Sequence, residues 1–188
     1  VYLKQHGIKA TNTPGVLNDA VCELAIGMML GLMRRIPESE AFVKSGAWTK
    51  APFKLTTTLA GKRIGIAGMG RIGQDLAKRL EPFKVEIAYS GPSQKPVPYT
   101  YHRNVKDLAQ NCDVLFLACP ATPDTDKLVN AQVLEALGPT GFLVNIARGS
   151  VVDENALLYA LQHKKIAGAA LDVFENEPNP NRVFLNLD

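Results

Sequence analysis

The sequence predicts an α/β fold, a doubly wound parallel sheet with helices on both of its faces. Three observations lead to this class. Segments typical of short strands alternate with segments of helical periodicity along residues 62–171. One strand, residues 113–118, is apolar throughout, as expected where a parallel sheet is covered on both faces. A glycine-rich turn at 68–73 joins another apolar strand directly to a helix.

The N-terminal part of the chain precedes this alternation. Residues 7–10 are predicted as a strand and residues 12–15 as a turn. Pro37 is predicted to open a polar helix that reaches about residue 45. A threonine-rich connector at 49–60 then leads into the first strand of the sheet.

A long helix is predicted between these segments, over about 19–35, with Asn18 or Asp19 as its N-cap. It is apolar almost all round, which predicts burial on more than one side. Two interpretations stay open. The helix is either an ordinary core element or part of a subunit interface, and the second interpretation makes the protein a homodimer.

The glycine-rich turn contains Gly68, Gly70 and Gly73 in the spacing GxGxxG. An apolar strand at 64–67 precedes it, and apolar residues at helical spacing follow as far as Glu81. In this context the first glycine permits a tight turn, the second admits a pyrophosphate, and the third lets helix and strand pack closely. The sequence therefore predicts a Rossmann-type dinucleotide-binding domain. The alternative is a turn that is glycine-rich for packing alone.

The end of the next strand, residues 85–89, indicates which dinucleotide fits. NAD sites usually place an acid about 20 residues beyond the first glycines, where it binds the ribose 2′-hydroxyl. No acid occurs here, and the groups available to a 2′-phosphate are Ser90, Ser93, Gln94 and Lys95. We therefore predict NADP(H) as cofactor, with NAD as the second choice. The alternative is a Pro/Gly loop with an incidental lysine.

The remaining elements follow from the same signals. Helices are predicted at 105–111, 130–137 and 153–163, and strands at 113–118, 141–145 and 166–171. Asp153 is predicted to cap the last helix. Ligands bind beyond the carboxyl ends of the strands in such sheets. The chemistry is therefore expected at 68–73, 90–95, 119–122, 145–149 and 172–177.

Composition argues against several function classes. The 188 residues are 46% hydrophobic and 21% charged, which suits one globular core. The net charge is only +3 and no basic stripe with interleaved aromatics occurs, so we expect no nucleic-acid partner. The longest apolar run, 24–33, is too short to span a membrane. The three cysteines lie far apart without metal-ligand spacing, so we expect no metal site and a reduced, cytoplasmic protein.

Five motifs occur along the chain in a fixed order. They are Asn12-Thr13-Pro14-Gly15, Gly68-Met69-Gly70-Arg71-Ile72-Gly73, Cys119-Pro120-Ala121-Thr122-Pro123-Asp124-Thr125, Val144-Asn145-Ile146-Ala147-Arg148-Gly149-Ser150-Val151-Val152-Asp153 and Leu171-Asp172-Val173-Phe174-Glu175-Asn176-Glu177-Pro178. Together they resemble the D-isomer-specific 2-hydroxyacid dehydrogenases, and within that family the NADPH-dependent glyoxylate/hydroxypyruvate reductases. The likeness spans nearly the whole chain, and the last two motifs are highly specific.

The resemblance implies two catalytic residues. Arg148 would hold the carboxylate of a small 2-oxo acid and polarise its carbonyl, because a guanidinium fork donates in parallel to planar oxygens. Glu177 would hydrogen-bond the family's catalytic histidine and raise the pKa of that histidine. A surface arginine and a solvated loop acid are the alternatives for these two residues.

The cofactor contacts come from the local pattern and the resemblance together. They are Gly68, Gly70, Arg71, Ile72, Gly73, Ser90, Ser93, Lys95, Cys119, Pro120, Ile146, Ala147, Arg148 and Asp172. The resemblance places the glycine turn near the pyrophosphate, residues 119–120 near the adenosine and Ala147 near the nicotinamide. Asp172 would orient the nicotinamide carboxamide, and a helix cap is its alternative role.

Two departures from the family pattern stand out. The catalytic histidine should follow the Glu-Pro motif in a Pro-His pair, and we expect it beyond Asp188. His6, His102 and His163 stand in other contexts and are predicted as surface or packing residues. Pro92 takes the place of an arginine that NADPH-preferring relatives often carry, which leaves the cofactor preference open.

The expected function combines these points. Residues 1–188 would be the dinucleotide-binding domain of an oxidoreductase whose substrate-domain halves lie outside them. The intact enzyme would transfer a hydride from NADPH to C2 of a 2-oxo acid such as glyoxylate or hydroxypyruvate, giving the D-2-hydroxy acid. The rival function is a dinucleotide-sensing corepressor, which uses the same fold. A sensor of that kind favours NAD(H), so the missing acid after residue 89 weighs slightly against it.

Overall fold

The computed structural model describes residues 2–11, 13 and 15–187. The strands are β1 (Arg63–Ala67), β2 (Glu86–Ser90), β3 (Thr100–His102), β4 (Val114–Leu117), β5 (Phe142–Asn145) and β6 (Gly168–Leu171). The helices are α1 (Tyr2–Gln5), α2 (Asn18–Arg34), α3 (Ile36–Lys44), α4 (Arg71–Leu80), α5 (Val105–Gln110), α6 (Ala131–Leu137) and α7 (Glu154–Gln162). Neighbouring strands pair in parallel in the order β3-β2-β1-β4-β5-β6. The predicted doubly wound α/β class is confirmed.

The sheet divides the core into two apolar layers. Leu115 and Leu143 lie in the layer that contains α5, α6 and α7. Phe116 and Val144, the next residues of the same strands, lie in the layer that contains α2 and α4. All four side chains are fully buried. The apolar run of β4 is thus explained by cover on both faces, as the sequence predicts.

The glycine turn is fixed by close backbone contacts. Gly68 has φ +106°, and a Cβ at this residue would lie 2.7 Å from the backbone nitrogen of Cys119. A Cβ at Gly73 would lie 2.0 Å from the carbonyl oxygen of Gly68. Any side chain at position 73 would therefore push the first turn of α4 away from β1.

The N-terminal prediction of a strand at 7–10 is wrong. These residues instead follow the short helix α1, and Gly7, two residues beyond its last residue, has φ +66°. The N–H groups of Gly7 and Ile8 donate to the carbonyls of Lys4 and Leu3, a Schellman ending that uses up the donors a strand would need. Of the turn predicted at 12–15, Asn12 and Pro14 lie outside the described residues, as does Asp188.

The helix predicted at 19–35 is confirmed as α2, but its predicted cap is wrong. Leu17 is the N-cap residue, and no side chain caps the helix. The Asn18 amide instead donates to Asp75 at 2.8 Å, and Asp19 pairs with Arg79, both on α4. Contacts between two helices have replaced the local cap, because each side chain can serve only one set of partners.

Strand β3 was not predicted from the sequence. Its three residues are too few to show an alternating pattern, and it lies at the edge of the sheet. It is held by pairing with β2 and by Tyr101, whose ring centroid lies 5.3 Å from that of the fully buried Tyr89. The other predicted helices and strands are confirmed within about three residues at each end, and Asp153 caps α7 by accepting from Asn155 and Ala156.

Replacing Gly73 with alanine should unfold the domain or destabilise it by at least about 3 kcal/mol, because the new Cβ meets backbone that cannot yield. Gly70→Ala is the matched control, since a Cβ there meets nothing within 4 Å and φ is −81°. It should change the free energy of unfolding by less than about 1 kcal/mol. Urea denaturation followed by circular dichroism measures both variants, and equal stability of the two would contradict the contact.

Candidate functional site

A cavity of about 780 Å³ opens at the carboxyl ends of β2, β1 and β4. The strand order changes direction between β1 and β4, so the cavity lies at the topological switch point, where open α/β sheets bind ligands. Its volume is in the range of ligand pockets. Eight of the predicted cofactor residues line it, namely Gly68, Gly70, Arg71, Ser90, Ser93, Lys95, Cys119 and Pro120.

The N-terminus of α4 lies on the wall of this cavity and has the features of an anion site. Gly70 is the N-cap residue and no side-chain oxygen caps the helix. The first N–H groups of α4 therefore have no partner within the helix, and the helix dipole adds partial positive charge. A Cβ on Gly70 would meet open space, so the backbone itself faces the cavity. Arg71, the first residue of α4, adds a full charge, and this set fits a pyrophosphate.

Two tyrosines hold the loop that follows β2. The fully buried Tyr89 accepts a hydrogen bond from the backbone N–H of Lys95 at 2.6 Å, and its hydroxyl donates to the Lys95 carbonyl at 3.3 Å. Tyr101 donates to the carbonyl of Gly91 at 3.0 Å. Both ends of the loop are thus tied to the sheet, which gives Ser93 and Lys95 a defined backbone beside the cavity.

The structure adds lining residues that were not among the predicted site residues. They are Met69, Gln74, Arg103, Asn104, Thr122, Asp124, Thr125 and Leu128, among others. Arg103 and Asn104 follow β3, so they were missed together with that strand. Thr122 and Thr125 form a capping box in the loop after β4, and their Thr-x-x-Thr spacing was the available signal.

The loop after β5 is organised by Asn145, whose side chain is only 1% exposed. Its amide oxygen accepts from the N–H of Ala147 at 3.0 Å, and its amide nitrogen donates to the carbonyl of Arg148 at 3.1 Å. The Arg148 side chain is exposed, and one guanidinium nitrogen donates to the Ala147 carbonyl at 2.6 Å. Because only that one bond is made within the described residues, the fork keeps donors for an anion.

The loop after β6 packs against the loop after β5. A Cβ on Gly149 would lie 2.0 Å from the carbonyl carbon of Phe174, so the two backbones are in direct contact. Glu154, at the start of α7, is buried and accepts from the N–H of Glu175 at 2.6 Å. Glu177 lies exposed at the end of this loop and accepts from the N–H of Phe174 at 2.9 Å.

Seven predicted site residues do not line the cavity. They are Ile72, Gly73, Ile146, Ala147, Arg148, Asp172 and Glu177. The first two belong to the first turn of α4, and the others follow β5 and β6 along the same carboxyl edge of the sheet. Asp172 begins its loop with a backbone bond to the Asn145 carbonyl at 3.0 Å and has an exposed side chain. The roles given to these residues stay predictions.

None of the histidines His6, His102 and His163 belongs to the loops that directly follow β5 and β6. His6 and His163 are exposed, and each ring contacts a tyrosine of its own helix region. His102 is the half-buried last residue of β3. Over residues 2–11, 13 and 15–187, no cluster of three or more His, Cys, Asp or Glu side chains could hold a metal ion. No helix in the same part of the chain has the length and apolarity to cross a bilayer.

Comparison with known proteins agrees with this geometry. The family described as "D-isomer specific 2-hydroxyacid dehydrogenase, NAD binding domain" matches residues 26–188. A hydroxyphenylpyruvate reductase of Plectranthus scutellarioides is 49% identical over 183 residues, which cover 96% of this chain and 58% of that protein. A glyoxylate/hydroxypyruvate reductase A of Arabidopsis thaliana is 50% identical over the same length and with the same coverage.

A solved structure shares the fold closely. The NADPH-dependent glyoxylate/hydroxypyruvate reductase of Sinorhizobium meliloti, in complex with NADP and malonate, superposes with a TM-score of 0.93 at 44% identity. The match covers 99% of this chain and 59% of that one. The chain thus spans slightly less than three fifths of the length of these relatives.

Cys119 offers a chemical test of the cavity. It is the half-buried thiol of the three, and burial raises its pKa, so alkylation should be slow near neutral pH and should accelerate as the pH rises. Saturating NADPH should slow alkylation of Cys119 at least tenfold if the cofactor covers this wall. The buried Cys22 and Cys112 should react later, and Cys119→Ser identifies the fast site by mass spectrometry. A rate unaffected by NADPH would remove Cys119 from the predicted contacts.

Proposed function

The chain belongs to the D-isomer-specific 2-hydroxyacid dehydrogenases, and from this membership we propose that it is the cofactor-binding part of an oxidoreductase that reduces a small 2-oxo acid with NADPH. The product would be the D-2-hydroxy acid. Glyoxylate and hydroxypyruvate are the proposed substrates, because two of the relatives above are reductases of these acids. The relatives extend well beyond the matched length, so this activity is proposed for the whole protein.

One observation carries the proposal. The carboxyl edge of a single sheet combines a helix N-terminus that no side chain caps with the exposed guanidinium of Arg148. The first suits the pyrophosphate of a dinucleotide and the second suits the carboxylate of a 2-oxo acid. The Sinorhizobium meliloti reductase was crystallised with NADP and malonate, a cofactor and a small carboxylate of the same two classes. The corepressor alternative gains no support from these relatives.

The chemistry divides simply between cofactor and protein. A bound NADPH would supply the hydride. The N-terminus of α4 would hold the pyrophosphate, and Asp172 would orient the ring that carries the hydride. Arg148 would bind the substrate carboxylate and stabilise negative charge that develops on the C2 oxygen. Glu177 would accept a hydrogen bond from the proton donor, which we expect to be a histidine outside the described residues.

The preference for NADPH is proposed from the loop after β2. Ser90 and Ser93 offer hydroxyl groups and Lys95 offers a charge, all on the wall of the cavity. No carboxylate occurs between residues 86 and 107. A 2′-phosphate would meet donors and no like charge there, whereas NADH would lose only the usual acid partner of its ribose hydroxyl.

A carboxylate at position 90 should reverse this preference. Ser90→Asp should weaken NADPH binding at least tenfold, because two unit charges about 5 Å apart interact by about 3 kcal/mol at an effective dielectric of about 20. Ser90→Asn is the matched control, with the same shape and no charge. Fluorescence titration of the 188-residue chain with both cofactors gives the ratio of dissociation constants. The proposal fails if the unmodified chain binds NADH as tightly as NADPH.

The role of Arg148 can be tested in the gene product that contains this chain. Arg148→Lys keeps the charge and loses the fork, so kcat/KM for hydroxypyruvate should fall about ten- to a hundredfold. Arg182→Lys is the control, since Arg182 is exposed and makes no ion pair among the described residues. NADPH oxidation followed by absorbance measures both. Full activity of Arg148→Lys would exclude bidentate binding of the substrate.

We also propose that the protein is a homodimer. We propose a cytoplasmic location for it, because its cysteines are free. Large apolar side chains are exposed on and just after α2 and α3, namely Leu24, Ile36, Val43 and Trp48. Exposed apolar surface of this kind, where it is contiguous, is typical of an interface. The packing of α2 against β5, β6 and α4 also makes it a core helix.

Light scattering at micromolar concentration should therefore report twice the chain mass. Val43→Glu should shift the protein towards the monomer, because a charge in a buried interface is costly. Leu185→Glu, which changes an even more exposed apolar residue in the C-terminal segment, should leave the mass unchanged. A monomer in the unmodified chain would contradict the proposal.

A further inference from the structure

Arg103 lies on the wall of the cavity although nothing in the sequence marked it. It is the single residue between the end of β3 at His102 and the N-cap of α5 at Asn104. In the parallel ladder His102 is the partner of Ser90, so Arg103 stands one residue beyond Ser90 at the carboxyl edge. From the geometry of this edge we propose that Arg103 is the main cation for the 2′-phosphate of NADP. This inference rests on the proposed function and names a residue that sets its cofactor specificity.

The backbone on both sides of Arg103 is fixed. Tyr101 of β3 pairs with Tyr89 of β2, and its hydroxyl donates to the Gly91 carbonyl, which ties this strand to the loop after β2. Asn104 caps α5 by accepting from the N–H of Asp107 at 2.9 Å. A residue held between a strand end and a helix cap keeps its Cα in place, so only the side chain has to be ordered on binding.

The guanidinium of Arg103 is free to meet a ligand. Among the described residues it makes no ion pair and no side-chain hydrogen bond, and its side chain is exposed. The acid nearest in sequence, Asp107, is engaged by the side-chain amide of Asn104 at 2.7 Å. An arginine on a ligand cavity without an internal partner has its full fork of donors available for a phosphate.

The cations of the cavity divide between two phosphate positions. Arg71, Lys95 and Arg103 line the cavity, and Asp124 is the carboxylate on the same wall. Arg71 begins α4 and stands at the pyrophosphate site. Arg103 and Lys95 follow β3 and β2, on the side of the cavity where the adenosine ribose lies when the pyrophosphate is on α4. Asp124 follows β4, across β1 from these two cations.

Arg103 suits this task better than Lys95. A guanidinium donates two parallel hydrogen bonds to phosphate oxygens, whereas an ammonium acts as a point charge. The Lys95 backbone is hydrogen-bonded to Tyr89, but Lys95 stands at the end of the loop that is farther along the chain from Ser90. Arg103 stands next to the ladder partner of Ser90, which is the last residue of β2 and lines the cavity. The 2′-phosphate would therefore lie between the Ser90 hydroxyl and the Arg103 guanidinium, and Lys95 would be a more distant cation.

The test measures binding of NADPH, NADH, adenosine 2′,5′-bisphosphate and adenosine 5′-phosphate to the 188-residue chain. Arg103→Gln should weaken NADPH and the bisphosphate about ten- to a hundredfold and change NADH and the 5′-phosphate less than threefold. Arg103→Lys should lie between the two. Lys106→Gln is the matched control, because Lys106 is exposed on α5 three residues further and does not line the cavity. Melting temperatures show whether each variant is folded.

The outcomes separate the inference from the proposed function. Selective loss of the two 2′-phosphate ligands in Arg103→Gln supports the inference. Unchanged NADPH binding in this folded variant overturns it and leaves the proposed function standing. Equal loss of NADPH and NADH also overturns it, because Arg103 would then act on the shape of the cavity. If the unmodified chain binds no dinucleotide, the inference and the proposed function fail together.

Discussion

The site depends on one steric constraint at the end of β1. The first turn of α4 lies so close to β1 that a Cβ on Gly73 would fall 2.0 Å from the Gly68 carbonyl oxygen. Gly68 in turn approaches the backbone of Cys119 at the end of β4. The N-terminus of α4 is thereby set at the point where the strand order changes direction between β1 and β4, and Gly70 and Arg71 line the cavity there. The contact that packs the helix on the strand therefore also positions the proposed anion site.

The loop after β2 is fixed by a different device, a polar group at the end of a buried side chain. Tyr89 is fully buried, and its hydroxyl bonds to both the N–H and the carbonyl of Lys95. A loop rich in serine, glycine and proline would otherwise have many conformations to lose on binding. Because the core tyrosine orders this loop during folding, a ligand that contacts Ser93 or Lys95 does not have to order it.

How far the sequence predicts this molecule depends on where the cause of each feature lies. The cap of α7 by Asp153 and the glycine turn have local causes, and both were predictable. The cap of α2 depends on Asp75 of α4, 57 residues further along the chain, so the pattern around Asn18 gave the wrong cap. Strand β3 depends on its pairing with β2, and its three residues are too few to show a pattern, so it was missed. Arg103 was not among the predicted site residues because it follows β3, which was not predicted. Arg148 was found through a motif, since an exposed arginine in a loop carries no local signal of its own.

The two loops that follow β5 and β6 are held as one unit, which has a consequence for Arg148. Asn145 fixes the backbone of Arg148, and the next residue, Gly149, lies directly against the backbone of Phe174 in the other loop. Glu154, at the start of α7, makes a further link, since its buried carboxyl group accepts a hydrogen bond from the N–H of Glu175 in the loop after β6. A buried carboxylate is costly unless it is hydrogen-bonded, so the loop after β6 stabilises the start of α7 as much as α7 stabilises the loop. The backbone of Arg148 is therefore positioned by contacts between loops, and the residues that make them need not touch a substrate to influence it.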